Sequence, residues 1–274
     1  MPTEPLTLPK DPPAAKSERQ PKDDRRGSRL SLFLGRLMVP WERRPASDPL
    51  HTNLSYEWAW WLNRSYFRIF HCARYRGAWN IPDHGPVIFA PNHVSYYDPT
   101  LIAAGIPYRM RFMAWDALFR VPILKQILEN YGGYPVRLQS ADKGAIEQTL
   151  RILRNGEAVM IFPEGARSRT GELLPFENGI ARLALQTGAT IVPVTVTGVF
   201  ESWPPQRTFP RLFIPFTVRY HTPIRVEPCN DRSQLRARMA EINEQIRRPI
   251  ERRLKAYARL KAWRRRTGGV WYQD

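Results

Sequence analysis

The chain has 274 residues, with 42 Lys and Arg against 25 Asp and Glu, a formal charge of +17. Two cysteines, Cys72 and Cys229, exclude a disulfide framework and a thiolate zinc site, and they point to a reducing compartment. The basic excess calls for an anionic partner: nucleic acid, an anionic membrane or acidic substrates. RNA-recognition and zinc-finger spacings are absent, as are G-x-G-x-x-G and Walker sequences, so nucleic acid is not the expected partner. Nine Trp and eleven Tyr suit a protein at a lipid–water interface, where amphipathic rings are favoured.

In chain order, residues 1–29 hold six prolines among mixed charges and few large apolar groups, which predicts a disordered tail. Residues 30–73 read as an amphipathic, membrane-associating segment. Its first part, 30–41, is apolar but interrupted by Arg36 and lacks a small-residue cleavage pattern, so it reads as a surface segment rather than an export signal. Residues 55–71 predict an aromatic helix with Trp58, Trp61 or Leu62, Ser65 and Ile69 on one face. It is too short and too polar to span ~30 Å of hydrocarbon. Either it lies in the interface or it packs on the domain's own core.

From 74 to 230 the pattern becomes strands alternating with helices. Strands are expected at 74–79, 86–90, 110–114, 157–162 and 190–196, with a β-rich stretch at 212–220. Helices are expected at 99–105, 116–129, 141–154 and 178–187. Such alternation predicts an α/β layered domain with a central, mostly parallel mixed sheet flanked by helices. Residues 231–274 form a basic C-terminal helical region, expected in two pieces because Pro249 interrupts hydrogen bonding. From Arg247 to Arg266 there are ten basic residues and one acid, Glu251. That face is either simply solvated or drawn to anionic headgroups, at about 1 kcal/mol per basic residue near a lipid surface.

Two stretches carry chemistry. In the first, the apolar run Val87-Ile88-Phe89-Ala90 predicts a strand buried on both faces, and Pro91 ends it. Asn92 and His93 follow, with Asp98-Pro99 reading as a helix start in which Asp98 is the N-cap. On a continuous helix, five residues turn about 500°, which leaves His93 and Asp98 roughly 140° apart. They meet only if residues 94–97 form a turn. A histidine held by a carboxylate at the end of a strand is a general-base arrangement. The second stretch is Phe162-Pro163-Glu164-Gly165-Ala166-Arg167-Ser168, following another apolar strand. Here Gly165 allows close backbone approach, and Arg167 offers a planar fork for phosphate.

Together these stretches resemble the glycerophospholipid acyltransferase family over roughly residues 75–222. Its N-H-x-S-x-x-D motif is matched by Asn92, His93, Ser95 and Asp98. Its F-P-E-G-T-R-S motif is matched except that Ala166 replaces Thr, and an apolar-Pro-apolar feature is matched by Val192-Pro193-Val194.

The resemblance implies acyl transfer to a lysophospholipid, foremost 1-acylglycerol 3-phosphate, with acyl-CoA or an acyl carrier protein as donor. No metal or resident cofactor is implied. It casts His93 as base and Asp98 as its orienting carboxylate, with Asn92, Ser95, Arg137, Glu164, Gly165, Arg167 and Ser168 at the substrate. Glu164 would orient glycerol hydroxyls or hold Arg167. Ser95 lacks a G-x-S-x-G elbow and is expected to bond within the turn rather than attack. Many relatives place a phosphate-binding arginine where Leu138 stands here, so either Arg137 reaches the phosphate by another path or the acceptor headgroup differs. Glycerol 3-phosphate or a lyso-aminolipid are alternative acceptors, and a non-catalytic basic module is the alternative outside enzymes. The expected location is peripheral, on the cytoplasmic face of an anionic membrane.

Overall fold

The computed structural model describes residues 54–137, 142–229 and 231–267. The expected tail, residues 30–53 of the amphipathic segment, Leu138 and residues 268–274 lie outside the described residues. Helix α1 (Leu54–His71) leads into β1 (Arg74–Arg76); β2 (Val87–Pro91) and α2 (Asp98–Ala103) follow. Next come β3 (Met110–Trp115), α3 (Pro122–Asn130), β4 (Gly133–Val136), α4 (Lys143–Arg154) and β5 (Ala158–Met160). The chain continues with α5 (Gly179–Thr187), β6 (Thr190–Thr197), α6 (Val199–Ser202), β7 (Thr217–Tyr220) and α7 (Arg232–Thr267).

The seven strands form one sheet in the order β1-β7-β6-β2-β5-β3-β4. Every neighbouring pair is parallel except β6–β7. The sheet is the mostly parallel α/β arrangement that the alternation predicts, and its central strands show why. All five residues of β2 are buried, as are seven of the eight in β6. Strands covered on both faces need continuous apolar runs. One core, with Phe67, Phe89, Leu101 and Val194, lies under α1 and α2; the other, with Ile88, Leu185, Ile246 and Ile250, lies under α4, α5 and α7.

Four expectations change. The helix expected at 116–129 is split into a 3-10 turn, Asp116–Arg120, and α3, because the residue before Pro122 is held extended (Val121 φ −89°, ψ 114°). Strand β4 was not foreseen; its glycine and Pro135 are poor strand formers, tolerated at the sheet edge. The N-cap of α2 is Tyr97, and Asp98 is the first helical residue, its carboxylate turned back toward the preceding loop. Finally, α7 is one helix of 36 residues that runs through Pro249. An interior proline costs a helix ~3 kcal/mol. Burying Ile246 and Ile250, both fully enclosed, contributes about 1.5–3 kcal/mol each and outweighs it.

Helix α1 has two faces. Trp60 Nε1 donates to Ala103 O (3.1 Å) and Asn63 Nδ2 to Thr100 O (2.8 Å), while Phe67 and His71 are buried. Opposite them Trp58, Leu62 and Ile69 stand 77%, 74% and 67% exposed. Core packing therefore describes one face, and a free apolar surface the other. No helix among the described residues is long and apolar enough to cross a membrane.

Candidate active site

The site gathers where β2 and β6 end. Asn92 extends the ladder by side chain: its Oδ1 accepts from Val196 N (2.8 Å) and its Nδ2 donates to Val196 O (3.2 Å). This pins the point where the chain leaves the sheet. Residues 94–97 then turn, and Asp98 Oδ2 collects three donors: Val94 N (2.6 Å), Ser95 N (2.8 Å) and His93 Nδ1 (2.8 Å). Asp98 is wholly buried. A carboxylate only accepts, so the proton lies on Nδ1 of His93 and the lone pair on Nε2. The ring is stacked on Phe162, 3.7 Å between centroids, which fixes its plane.

The second stretch is tied to the first by a carboxylate. Glu164 Oε1 accepts from His93 N (2.7 Å) and Oε2 from Leu174 N (2.8 Å), while Ser168 N donates to His93 O (2.8 Å). Burial pushes the Glu164 pKa up to about 7, against the pull of those two N–H donors. Gly165 stands at φ +66°, the left-handed conformation that lets the chain reverse after Glu164. From α7, Arg247 Nη1 donates to Leu174 O (2.9 Å) and steadies the same loop.

Arg167 is held differently. Its guanidinium carbon lies 3.8 Å from the centre of the Tyr96 ring, and Tyr96 leans on Trp203. A ring covers the face of the guanidinium and leaves its in-plane N–H groups free. Nη1 of Arg167 is buried without a hydrogen-bond partner among the described residues, so one donor is left for an acceptor.

The expected site residues thus divide into groups. His93, Asp98, Glu164 and Ser168 are brought together by direct bonds, and Arg167 stands over Tyr96 of the same turn. Asn92, Ser95, Glu164 and Ser168 direct their polar atoms to the backbone or to the loop itself. Ser95 Oγ donates to Trp203 O (2.7 Å), and Ser168 Oγ accepts from Gly171 N (3.1 Å). Arg137 lies apart. It follows β4, three strands from β2 and so about 14 Å away, and its side chain is exposed. Its backbone N–H donates to Asp142 (3.0 Å).

Sequence reasoning missed Trp203, Tyr96, Phe162 and Arg247. Tyr96 and Phe162 lie inside the two motifs and were available. Trp203 reaches Ser95 from 108 residues away, by way of the turn at Gly198 (φ +87°). A Cβ on Gly198 would come 2.1 Å from Pro215 O, so only glycine permits this turn.

A family model described as Acyltransferase matches residues 72–197. The 1-acyl-sn-glycerol-3-phosphate acyltransferase of Borreliella burgdorferi is 32% identical over 122 residues, 44% of this chain and 49% of that protein. The enzyme of the same name from Cocos nucifera is 34% identical over 143 residues, 51% and 46% of the two chains. A lyso-ornithine lipid O-acyltransferase from Pseudomonas aeruginosa is 29% identical over 173 residues, 61% and 64% of the two chains. The chain spans about half the length of the first of these curated relatives. The crystal structure of 1-acyl-sn-glycerophosphate acyltransferase from Thermotoga maritima superposes with a TM-score of 0.59 at 22% identity, covering 84% of this chain and 87% of that one. That likeness is one of fold. Residues 72–197, the stretch that holds His93, Asp98, Glu164 and Arg167, are thus similar to acyltransferases, among them enzymes named for 1-acyl-sn-glycerol 3-phosphate.

Proposed function

We propose that this protein transfers a fatty acyl group from a thioester to the free hydroxyl of 1-acylglycerol 3-phosphate, giving phosphatidic acid. The observation that carries the reading is the 2.8 Å bond between His93 Nδ1 and the buried Asp98, which leaves Nε2 as a base. Nε2 takes the proton of the acceptor hydroxyl as its oxygen attacks the thioester carbonyl carbon. Asp98 stabilises the imidazolium that forms. The tetrahedral intermediate then collapses, the carbon–sulfur bond breaks, and the thiolate recovers the proton from His93.

Arg167 holds the acceptor phosphate through its free edge. Glu164, Asn92 and Ser95 act as positioning residues that fix the two loops. The acceptor oxygen is itself the nucleophile, and the Ser95 hydroxyl is engaged with Trp203 O. The donor is acyl-CoA or an acyl carrier protein, and the reaction asks for no metal. The exposed face of α1, with Trp58, Leu62 and Ile69, would rest on an anionic membrane at its cytoplasmic side, helped by the basic α7.

A second acceptor is favoured by one finding, the match to a lyso-ornithine lipid O-acyltransferase over 61% of this chain. The test offers the purified chain one acyl-CoA and a panel: lysophosphatidate, glycerol 3-phosphate and lyso-ornithine lipid, with products read by mass spectrometry. Phosphatidate is the product expected to dominate. Acylated ornithine lipid in its place would move the acceptor, and thioester left intact with every acceptor would overturn the reading.

A further inference from the structure

A second group of arginines lies away from His93, on β7 and α7. Arg219 pairs across β6–β7 with Thr195 and stands beside Arg76 of β1, just as Thr217 stands beside Arg74. Val218 and Tyr220 are buried in the core under α1, so strand alternation turns Thr217 and Arg219 to the opposite face, where α7 lies against β6. His221 joins that face, with Nε2 2.7 Å from Thr195 Oγ1. Arg253 comes down from α7, three residues beyond the fully buried Ile250.

The Nε atoms of Arg219 and Arg253 are both shut off from solvent, and neither has a hydrogen-bond partner among the described residues. Among the described residues no carboxylate lies within ion-pair distance of either one. Glu201 of α6 is paired with Lys261, and Glu251 of α7 with Lys255. Burial, and then the Arg253 charge, lower the Arg219 pKa. His221 is pushed down to about 4 by burial and by the same two arginines, so it is neutral at pH 7. Like charges held together around unmet buried donors are the arrangement that an oxyanion relieves.

The geometry points to a second oxyanion site, formed by Arg219 and Arg253 with Arg76 at its mouth, that takes a phosphate group. Arg219 lies opposite Thr195, next to the Val194 that pairs with Pro91 at the end of β2. The site is therefore level with the start of the His93 loop and two strands away, about 10 Å. At that distance a molecule reaching His93 could leave a phosphate here. Two sources share this chemistry: a soluble phosphate ester, such as the nucleotide end of a thioester donor, and the headgroup of an anionic lipid.

The test does not depend on acyl transfer. In a chain carrying Arg167→Gln, which silences the first phosphate position, calorimetric titration uses inorganic phosphate, adenosine 3′,5′-bisphosphate, and vesicles of phosphatidylglycerol in phosphatidylcholine. Saturable binding is expected, weakened about 10- to 150-fold by Arg219→Gln or Arg253→Gln, as befits a lost charged hydrogen bond. Arg252→Gln removes the same charge from an exposed position of α7 and should change affinity by less than about twofold. Should a glutamine variant fail to fold, Arg219→Lys and Arg253→Lys keep the charge, lose the fork and should still weaken binding. Dependence of bisphosphate binding on the pair identifies a soluble ester, and dependence of vesicle binding identifies a headgroup. No saturable binding of any probe, or an equal loss in Arg252→Gln, overturns the site.

Discussion

The two arginines expected at the acceptor, Arg167 and Arg137, sit in opposite circumstances. Arg167 belongs to a loop sewn to the His93 turn by Glu164 and Ser168, and Tyr96 covers its guanidinium face. Arg137 stands exposed at the sheet edge, its backbone N–H held by Asp142. The loops around His93 are thus locked together by hydrogen bonds, whereas Arg137 stands apart from them. A general base of the kind proposed needs such fixed geometry.

The largest break in this comparison comes at the locked half. Asp98→Asn keeps an oxygen for the two backbone donors but removes the charge that would stabilise the proposed imidazolium, so kcat should fall on the order of 10²-fold or more. A circular dichroism melt near that of the wild type would show that the loss is chemical. Unchanged turnover would remove Asp98 from the mechanism.

Arg167→Lys keeps the charge and loses the fork. The lysophosphatidate KM should rise roughly 10- to 150-fold while the acyl-CoA KM changes little. Arg137→Ala should raise the acceptor KM by less. The comparison fails if steady-state kinetics rank the two the other way round.

Tyr96 sharpens the same point. Removing the ring beneath Arg167 forfeits a cation–π contact, so Tyr96→Leu should raise the acceptor KM about 2- to 30-fold. Tyr96→Phe, which keeps the ring, should stay near wild type. Equal loss in both variants would mean that the hydroxyl, not the ring, matters.

The smallest effect concerns Glu164. Its folded pKa, about 7, lies above the ordinary carboxylate value of 4.5. The folded state therefore binds the extra proton, and the group's stabilising contribution is complete below the lower value and lost as pH climbs through the upper one. The difference in Tm between wild type and Glu164→Gln should accordingly shift against the wild type between pH 4.5 and about 7. A difference that stays flat across that window would contradict a raised pKa.

Much of the locked half was legible in the chain. The Val87–Ala90 run needs a strand covered on both faces, and the four residues between His93 and Asp98 must form a turn if the two are to meet. What stayed hidden depends on contacts remote in sequence. Trp203 meets Ser95 across 108 residues, and Arg247 meets Leu174 across 73. Local rules also misjudged Pro249, because the apolar burial flanking it outweighs a missing hydrogen bond. In α1 the pattern marked one apolar face, with Trp58, Leu62 and Ile69, but only packing shows that this face stays exposed while the core takes Trp60, Arg64 and Phe67.

The proposed chemistry turns on His93 as the base of an acyl transfer. The most direct measurement is thiol release from acyl-CoA with lysophosphatidate present, both saturating, for the wild type and His93→Ala. Turnover should fall about 10²–10⁴-fold, with melting temperature and acceptor affinity retained. Release by His93→Ala at near the wild-type rate would contradict it.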